Sequence, residues 1–117
     1  MQVLVYCDDP VYGDEELIRR VEGVIEGTLE RFGEHVFRVE VRLSDLNSDK
    51  PGDRDKVCRL EARVAGTASV TAKHDAPTLT QAIHVAAGML ERLVGQALRQ
   101  LTRALPGTPV RPSARSL

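Results

Sequence analysis

Val57-Cys58-Arg59-Leu60-Glu61-Ala62-Arg63-Val64 alternates without a break. Cys58, Leu60, Ala62 and Val64 point one way, and Arg59, Glu61 and Arg63 point the other. Such a period of two marks a strand with one buried face. Ala65-Gly66-Thr67 follows, short and glycine-bearing as a hairpin connection requires. A second arm then alternates, with Ala68, Val70 and Ala72 inward and Ser69, Thr71 and Lys73 outward. Beyond His74-Asp75-Ala76-Pro77 the period becomes helical. Leu79, Ile83, Ala86, Leu90, Leu93, Val94, Ala97, Leu98, Leu101 and Leu105 share one stripe of a helix of about 27 residues. A strand hairpin feeding a long amphipathic helix fixes where the core must lie.

The upstream half supplies the rest of the layer. Met1 to Tyr6 reads as a strand and Cys7 to Gly13 as a loop. Asp14 is placed to cap a helix whose first turn carries Glu15 and Glu16. Leu17, Ile18, Val21, Val24, Ile25, Leu29 and Phe32 form its buried stripe, and Gly33 ends it. Glu22, Glu26 and Glu30 make its solvent face acidic. Val36 to Ser44 is predicted as a strand with Phe37, Val39, Val41 and Leu43 inward and Arg38, Glu40 and Arg42 outward. Strand, helix and strand make a crossover unit with its two strands parallel. A polar loop runs from Asp45 to Asp55, and the three prolines and lost periodicity of residues 106–117 predict a disordered, mildly basic tail. The chain therefore divides into a domain over residues 1–105 and that tail. The expected fold is α+β, in the order β-α-β-β-β-α: a four-stranded mixed sheet with both helices on one face. The open face would carry Arg38, Glu40, Arg42, Arg59, Glu61, Arg63, Thr71 and Lys73, solvated and neutralised by cross-strand Arg–Glu pairs.

At 117 residues the chain can bury a core without metal or disulfide staples. Aromatic residues are only 3 % and tryptophan is absent, so the core is aliphatic and the stacking rings of sequence-tolerant single-strand binders are scarce. No apolar run reaches the roughly 18 residues of a membrane span, and the N-terminus lacks a signal-peptide pattern. Cys7 and Cys58 both sit in apolar strand pattern and read as buried thiols of a cytoplasmic protein. The net charge of −1 hides an asymmetry: residues 1–53 hold 6 Lys/Arg against 13 Asp/Glu, and residues 54–117 hold 10 against 4. That polarity points to an electrostatic partner for the C-terminal half.

Few residues suggest chemistry. Asp45-x-Asn47-x-Asp49 opens like a calcium loop, but Lys50 and Lys56 stand where glycine and glutamate are required. His35, His74 and His84 have no metal-ligand spacing, no phosphate loop is present, and no serine or cysteine sits beside a base. The sequence predicts neither an enzyme nor a metal or other cofactor. The exposed stripe of the last helix does carry a pattern: His84, Gly88, Arg92, Gly95, Arg99 and Arg103. With Lys73 and His74 just ahead, it predicts a phosphate-binding line about 40 Å long by helical rise. Gly88 and Gly95 would let a phosphate backbone or another helix approach.

Taken in order, Arg38-Val39-Glu40-Val41-Arg42-Leu43-Ser44-Asp45-x-Asn47-Ser48-Asp49-Lys50, Cys58-x-x-Glu61-Ala62-Arg63, Ala76-x-Thr78-Leu79-x-Gln81-Ala82-Ile83 and Leu90-Glu91-Arg92-Leu93 resemble the ribosome hibernation-promoting / ribosome-associated inhibitor family. The resemblance covers residues 1–104. It implies a fold similar to double-stranded-RNA-binding domains and a place on the small ribosomal subunit, in the channel used by messenger and transfer RNA. Translation would be silenced there during starvation or stationary phase. By the same resemblance the RNA contacts fall on Lys73, Arg92, Arg99 and Arg103, with Arg19, Arg20 and Arg31 as weaker candidates; His74, read from its place beside Lys73 at the end of a strand, would be a second donor to phosphate. The family usually carries more lysine along the last helix, whereas this chain has Met89, Val94 and Gly95 in that region. A second reading is a protein-interaction module of the same fold that homodimerises and has weakened or lost RNA binding.

Overall fold

The computed structural model describes residues 1–8, 15–45 and 56–103. The expected loop beyond Asp8, the expected cap Asp14, the expected loop over 46–55, Leu105 and the expected tail lie outside the described residues. Strand β1 (Gln2–Cys7) leads to helix α1 (Glu15–Leu29) and a short 3₁₀ segment (Glu30–His35). Strands β2 (Val36–Asp45), β3 (Lys56–Val64) and β4 (Val70–Ala76) follow, and helix α2 (Leu79–Arg103) closes the order. The sheet runs β1-β2-β3-β4, with β1 parallel to β2 and the other two pairs antiparallel. The α+β fold with a four-stranded mixed sheet is as the periodicities require. One sheet face meets both helices in a continuous aliphatic core. Val39, Val41, Leu43, Leu60 and Ala62 of the sheet are buried with Val21 and Ile25 of α1 and Ala86, Leu90 and Val94 of α2. Each buried branched side chain contributes roughly 1.5–3 kcal/mol.

Helix α2 starts where its sequence says it should. Thr78 Oγ1 accepts a hydrogen bond from the Gln81 backbone N–H at 3.2 Å, satisfying one of the orphan donors of the first turn. The end of α1 is less regular than its stripe suggests. The α-helix stops at Leu29 and the chain tightens into the 3₁₀ turn, reversing at Gly33 with φ of 56° and ψ of −130°. Phe32 is still carried into the core.

Three predicted orientations fail, each for a geometrical reason. Phe37 was expected inward, but it is 55 % exposed and Val36 is buried. Val36 lies opposite Val64 and Arg38 opposite Arg63, so the register slips by one residue and Phe37 is extruded as a bulge. Ala68 was expected inward but is exposed, because the β3–β4 connection lasts through Ser69 and β4 begins at Val70. The turn is set by Gly66, with φ of 81°, and sits against Leu101 of α2. Third, the open face is not neutralised across strands. Arg38 faces Arg63, Glu40 faces Glu61, and Arg42 faces Arg59, which faces Lys73 in turn. The Arg–Glu contact on this face runs along β2 instead, from Arg38 to Glu40 at 3.1 Å.

Cys7 and Cys58 both flank Leu43 in one cross-strand row, two strand spacings (about 9.6 Å) apart. That exceeds what a disulfide can bridge, and neither cysteine is in one. Burial pushes the Cys58 thiol up to about 12 from its ordinary 9.0.

Candidate nucleic-acid interface

The sequence places Arg92, Gln96 and Arg99 at i, i+4 and i+7 of α2, which aligns them on one exposed face. The fold then adds a residue from elsewhere. Arg31, in the 3₁₀ turn after α1, reaches across to α2 and joins them. Arg31, Met89, Arg92, Leu93, Gln96 and Arg99 line an open cleft of ≈ 570 Å³. Its floor is apolar at Met89 and Leu93, and its rim is cationic.

Gly95 explains how the arginines come so close. It is buried, and a Cβ built there would lie 3.4 Å from Arg99 Nη1, 3.5 Å from Arg31 Nη2 and 3.7 Å from the tip of the Phe32 ring. Two guanidinium tips therefore converge on the space left by the missing side chain, within about 7 Å of one another. Their repulsion is offset locally. Arg31 Nε donates to Glu91 Oε2 at 3.1 Å, and the Arg31 guanidinium packs over the Phe32 ring 4.5 Å from its centroid. The anchored Arg31 still presents Nη donors to the cleft. Three guanidinium groups against one carboxylate leave an excess of two positive charges, with forked donors suited to phosphate oxygens.

The other residues named from sequence are distributed differently. Lys73 is exposed on the open sheet face, on the far side of the sheet from the helices. His74, its neighbour in an extended strand, necessarily points the opposite way. It is half-buried on the helix side, in a groove it shares with Thr80, Gln81 and His84. The continuous line of Lys73, His74 and the α2 arginines does not exist, because strand parity splits its first two members. Arg20 is held by Glu16 at 2.9 Å on α1, and Arg19 is exposed beside it. Arg103 falls in the last turn of α2, one turn past Arg99. Gly95 is not an exposed landing point but the seat of the cluster, whereas Gly88 has open space beside it. Met89, Leu93 and Gln96 were missed as lining residues, although the spacing of Gln96 from both arginines already put it on their face.

Among the described residues, no three His, Cys, Asp or Glu side chains are grouped to hold a metal ion. Among the same described residues, no helix is long and apolar enough to cross a membrane.

No protein-family profile matches the sequence, and no curated protein matches it significantly. Solved structures do. The Protein Y N-terminal domain of Thermus thermophilus superimposes with a TM-score of 0.66 at 20 % identity, covering 82 % of this chain and 98 % of that one. The likeness establishes the fold. A ribosomal subunit interface protein from Coxiella burnetii superimposes with a TM-score of 0.56 at 12 % identity, over 86 % of this chain and 97 % of its own. Both neighbours are span-for-span partners of the β-α-β-β-β-α unit.

Glycine at 95 makes a separable prediction. An alanine Cβ at 3.4–3.7 Å from its neighbours is in ordinary contact, so Gly95→Ala should gain up to about 1 kcal/mol of helix propensity. It would also fill the space between the guanidinium tips. Thermal melting should rise by a few degrees while the affinity of the cleft for polyanions falls several-fold. A fall in both would show that the backbone, not the arginines, needs the glycine.

Proposed function

We propose that the chain binds ribosomal RNA of the small ribosomal subunit, in the channel that messenger and transfer RNA use, and inhibits translation by occupancy. The observation that carries this reading is the convergence of Arg31, Arg92 and Arg99 around Gly95. It occurs on a fold shared with proteins described as Protein Y and as a ribosomal subunit interface protein. The mechanism requires no bond to be made or broken. Guanidinium forks hold phosphate, the apolar floor at Met89 and Leu93 meets sugar or base edges, and the body of the domain excludes other RNAs. Residues 1–105 would be the ribosome-binding unit, acting in the cytoplasm as a hibernation factor under stress, with residues 106–117 as an appended tail. Arg103, one helical turn beyond Arg99 in the sequence of α2, would be a further contact, and Arg19 and Arg20 are peripheral.

The test is co-sedimentation of the purified protein with small ribosomal subunits at about 50 and 300 mM monovalent salt. Saturation near one copy per subunit is expected, with affinity falling on the order of 10²-fold over that range for three phosphate contacts. Absence of binding at the lower salt would overturn the reading. A free protein that sediments as a dimer and ignores ribosomes would favour the homodimerising module instead.

A further inference from the structure

The open face of the sheet carries charges that the fold does not explain. Like charges directly opposite one another on antiparallel strands are destabilising, yet Arg42, Arg59 and Lys73 stand in one cross-strand row, and Arg38 faces Arg63 in another. Arg42, Arg59, Arg63 and Lys73 form no ion pair with one another's neighbours Glu40 and Glu61, since the one salt bridge on these two rows of carboxylates joins Glu40 to Arg38. The row begins with an aromatic ring: Tyr6 of β1 is in register with Arg42, 39 % exposed, and lies under the Arg42 guanidinium 4.7 Å from its centroid. Phe37, extruded by the bulge at the other end of β2, is 55 % exposed.

We propose that this face binds a single strand of RNA, on the side of the sheet opposite the α2 cleft. Adjacent strands are about 4.8 Å apart, so the Arg42–Arg59–Lys73 row spans about 10 Å across the sheet, with Tyr6 one strand further. A strand of RNA crossing the β-strands would pass its phosphates over these cations and lay a base on the Tyr6–Arg42 stack. Phe37 lies about 16 Å along β2 from Arg42 and offers a second ring. Rings and guanidinium planes stack on unpaired bases, not on the closed edges of a duplex. Aromatic residues are few in this chain, but two of its four are displayed on β1 and β2. The proposal is independent of the cleft, because the helices cover the other face.

Fluorescence anisotropy with a labelled 12-nucleotide oligouridylate, at about 50 mM salt, tests it on the full chain. Arg59→Glu/Lys73→Glu should weaken binding at least 10-fold, and Tyr6→Ala several-fold. In the Arg92→Glu/Arg99→Glu background, where the cleft no longer contributes its own affinity for polyanions, the same sheet changes should still weaken binding at least 10-fold. The sheet residues are exposed, and the double change puts a carboxylate opposite Arg42 while exchanging the repulsion between positions 59 and 73 for one of opposite sign, so the sheet variant should melt close to the native chain. Arg59→Gln/Lys73→Gln, a milder change, should weaken binding in the same direction. Unchanged binding in the folded sheet variants would overturn the proposal. So would loss of binding through the cleft variant alone, tighter binding of a duplex of equal length, or no binding by the native chain. Failure here with intact ribosome co-sedimentation would remove the sheet site and leave the cleft; the reverse result would remove the cleft and leave the sheet site.

Discussion

Reversing Arg31, Arg92 and Arg99 to glutamate is expected to abolish association with the small ribosomal subunit while leaving the domain folded. All three are exposed, so no buried contact is lost apart from the packing of Arg31 on Phe32. Three phosphate contacts would be removed and three repulsions added, for at least a 100-fold loss of affinity. The slope of log affinity against log salt should become shallower by about two to three. The single changes should not be equal. Arg31→Ala removes a cation and also releases Glu91 from its 3.1 Å ion pair, leaving a carboxylate facing the cleft. It should cost more than Arg92→Ala. Glu91→Gln should tighten binding, because it removes the carboxylate paired with Arg31 without touching the donors. Titration of native and variant chains against subunits at two salt concentrations checks all of these. Equal affinities for native and triple variant would dismiss the cleft as the binding surface.

Alkaline pH is expected to unfold the protein through one core thiol. Cys58 is fully buried, and burial holds its thiol at about 12, against 9.0 ordinarily. The sign follows directly. Below about pH 9 the thiol is neutral in both folded and unfolded chains and stability does not depend on it. Above that, the unfolded chain releases a proton that the folded chain retains. Stability then falls by roughly 1.4 kcal/mol per pH unit, and by about 4 kcal/mol in all once pH 12 is reached. For a domain of this size that is a large fraction of the total. Cys58→Val, close in volume and without an ionisable group, should flatten this part of the alkaline slope. Denaturant melts of native and variant chains between pH 8 and 11 read the difference. Parallel pH curves would mean that the thiolate is tolerated in the core.

Much of this architecture was legible in the sequence because two periods are hard to confuse. The alternation from Val57 to Val64 and the stripe from Leu79 through Leu98 fixed a strand and a helix, and with them the buried faces. What sequence could not supply was register. Phe37 alternates correctly within its own strand, and only its pairing with β3 reveals the slip that turns it outward. The like-charge rows are invisible for the same reason: Arg42 and Arg59 meet only after two strands have been aligned. The split of Lys73 from His74 was available in principle, since adjacent residues in a strand point to opposite faces. It needed the strand to be carried on to Ala76. Gly95 is the instructive case for the cleft. On the helix alone it reads as a gap for an incoming molecule. Its actual occupants are Arg31 and Phe32, brought from a 3₁₀ turn whose path Gly33 sets.

The parallel pairing of β1 imposes an order on how the chain can be completed as it is made. Strands β2, β3 and β4 are joined as an antiparallel meander, so their contacts close over short spans of sequence. β1 has one partner, and that partner is distant: Gln2 aligns with Arg38, 36 residues downstream. At cellular synthesis rates of about 5–20 residues per second, β1 exists for roughly 2–7 s before the segment it must pair with has even been polymerised. Helix α1 has to be laid down in that interval as the crossover that brings the strand back. β1 thus waits unpaired for β2, and until β2 has been made Val3, Leu4 and Val5 have no strand to join.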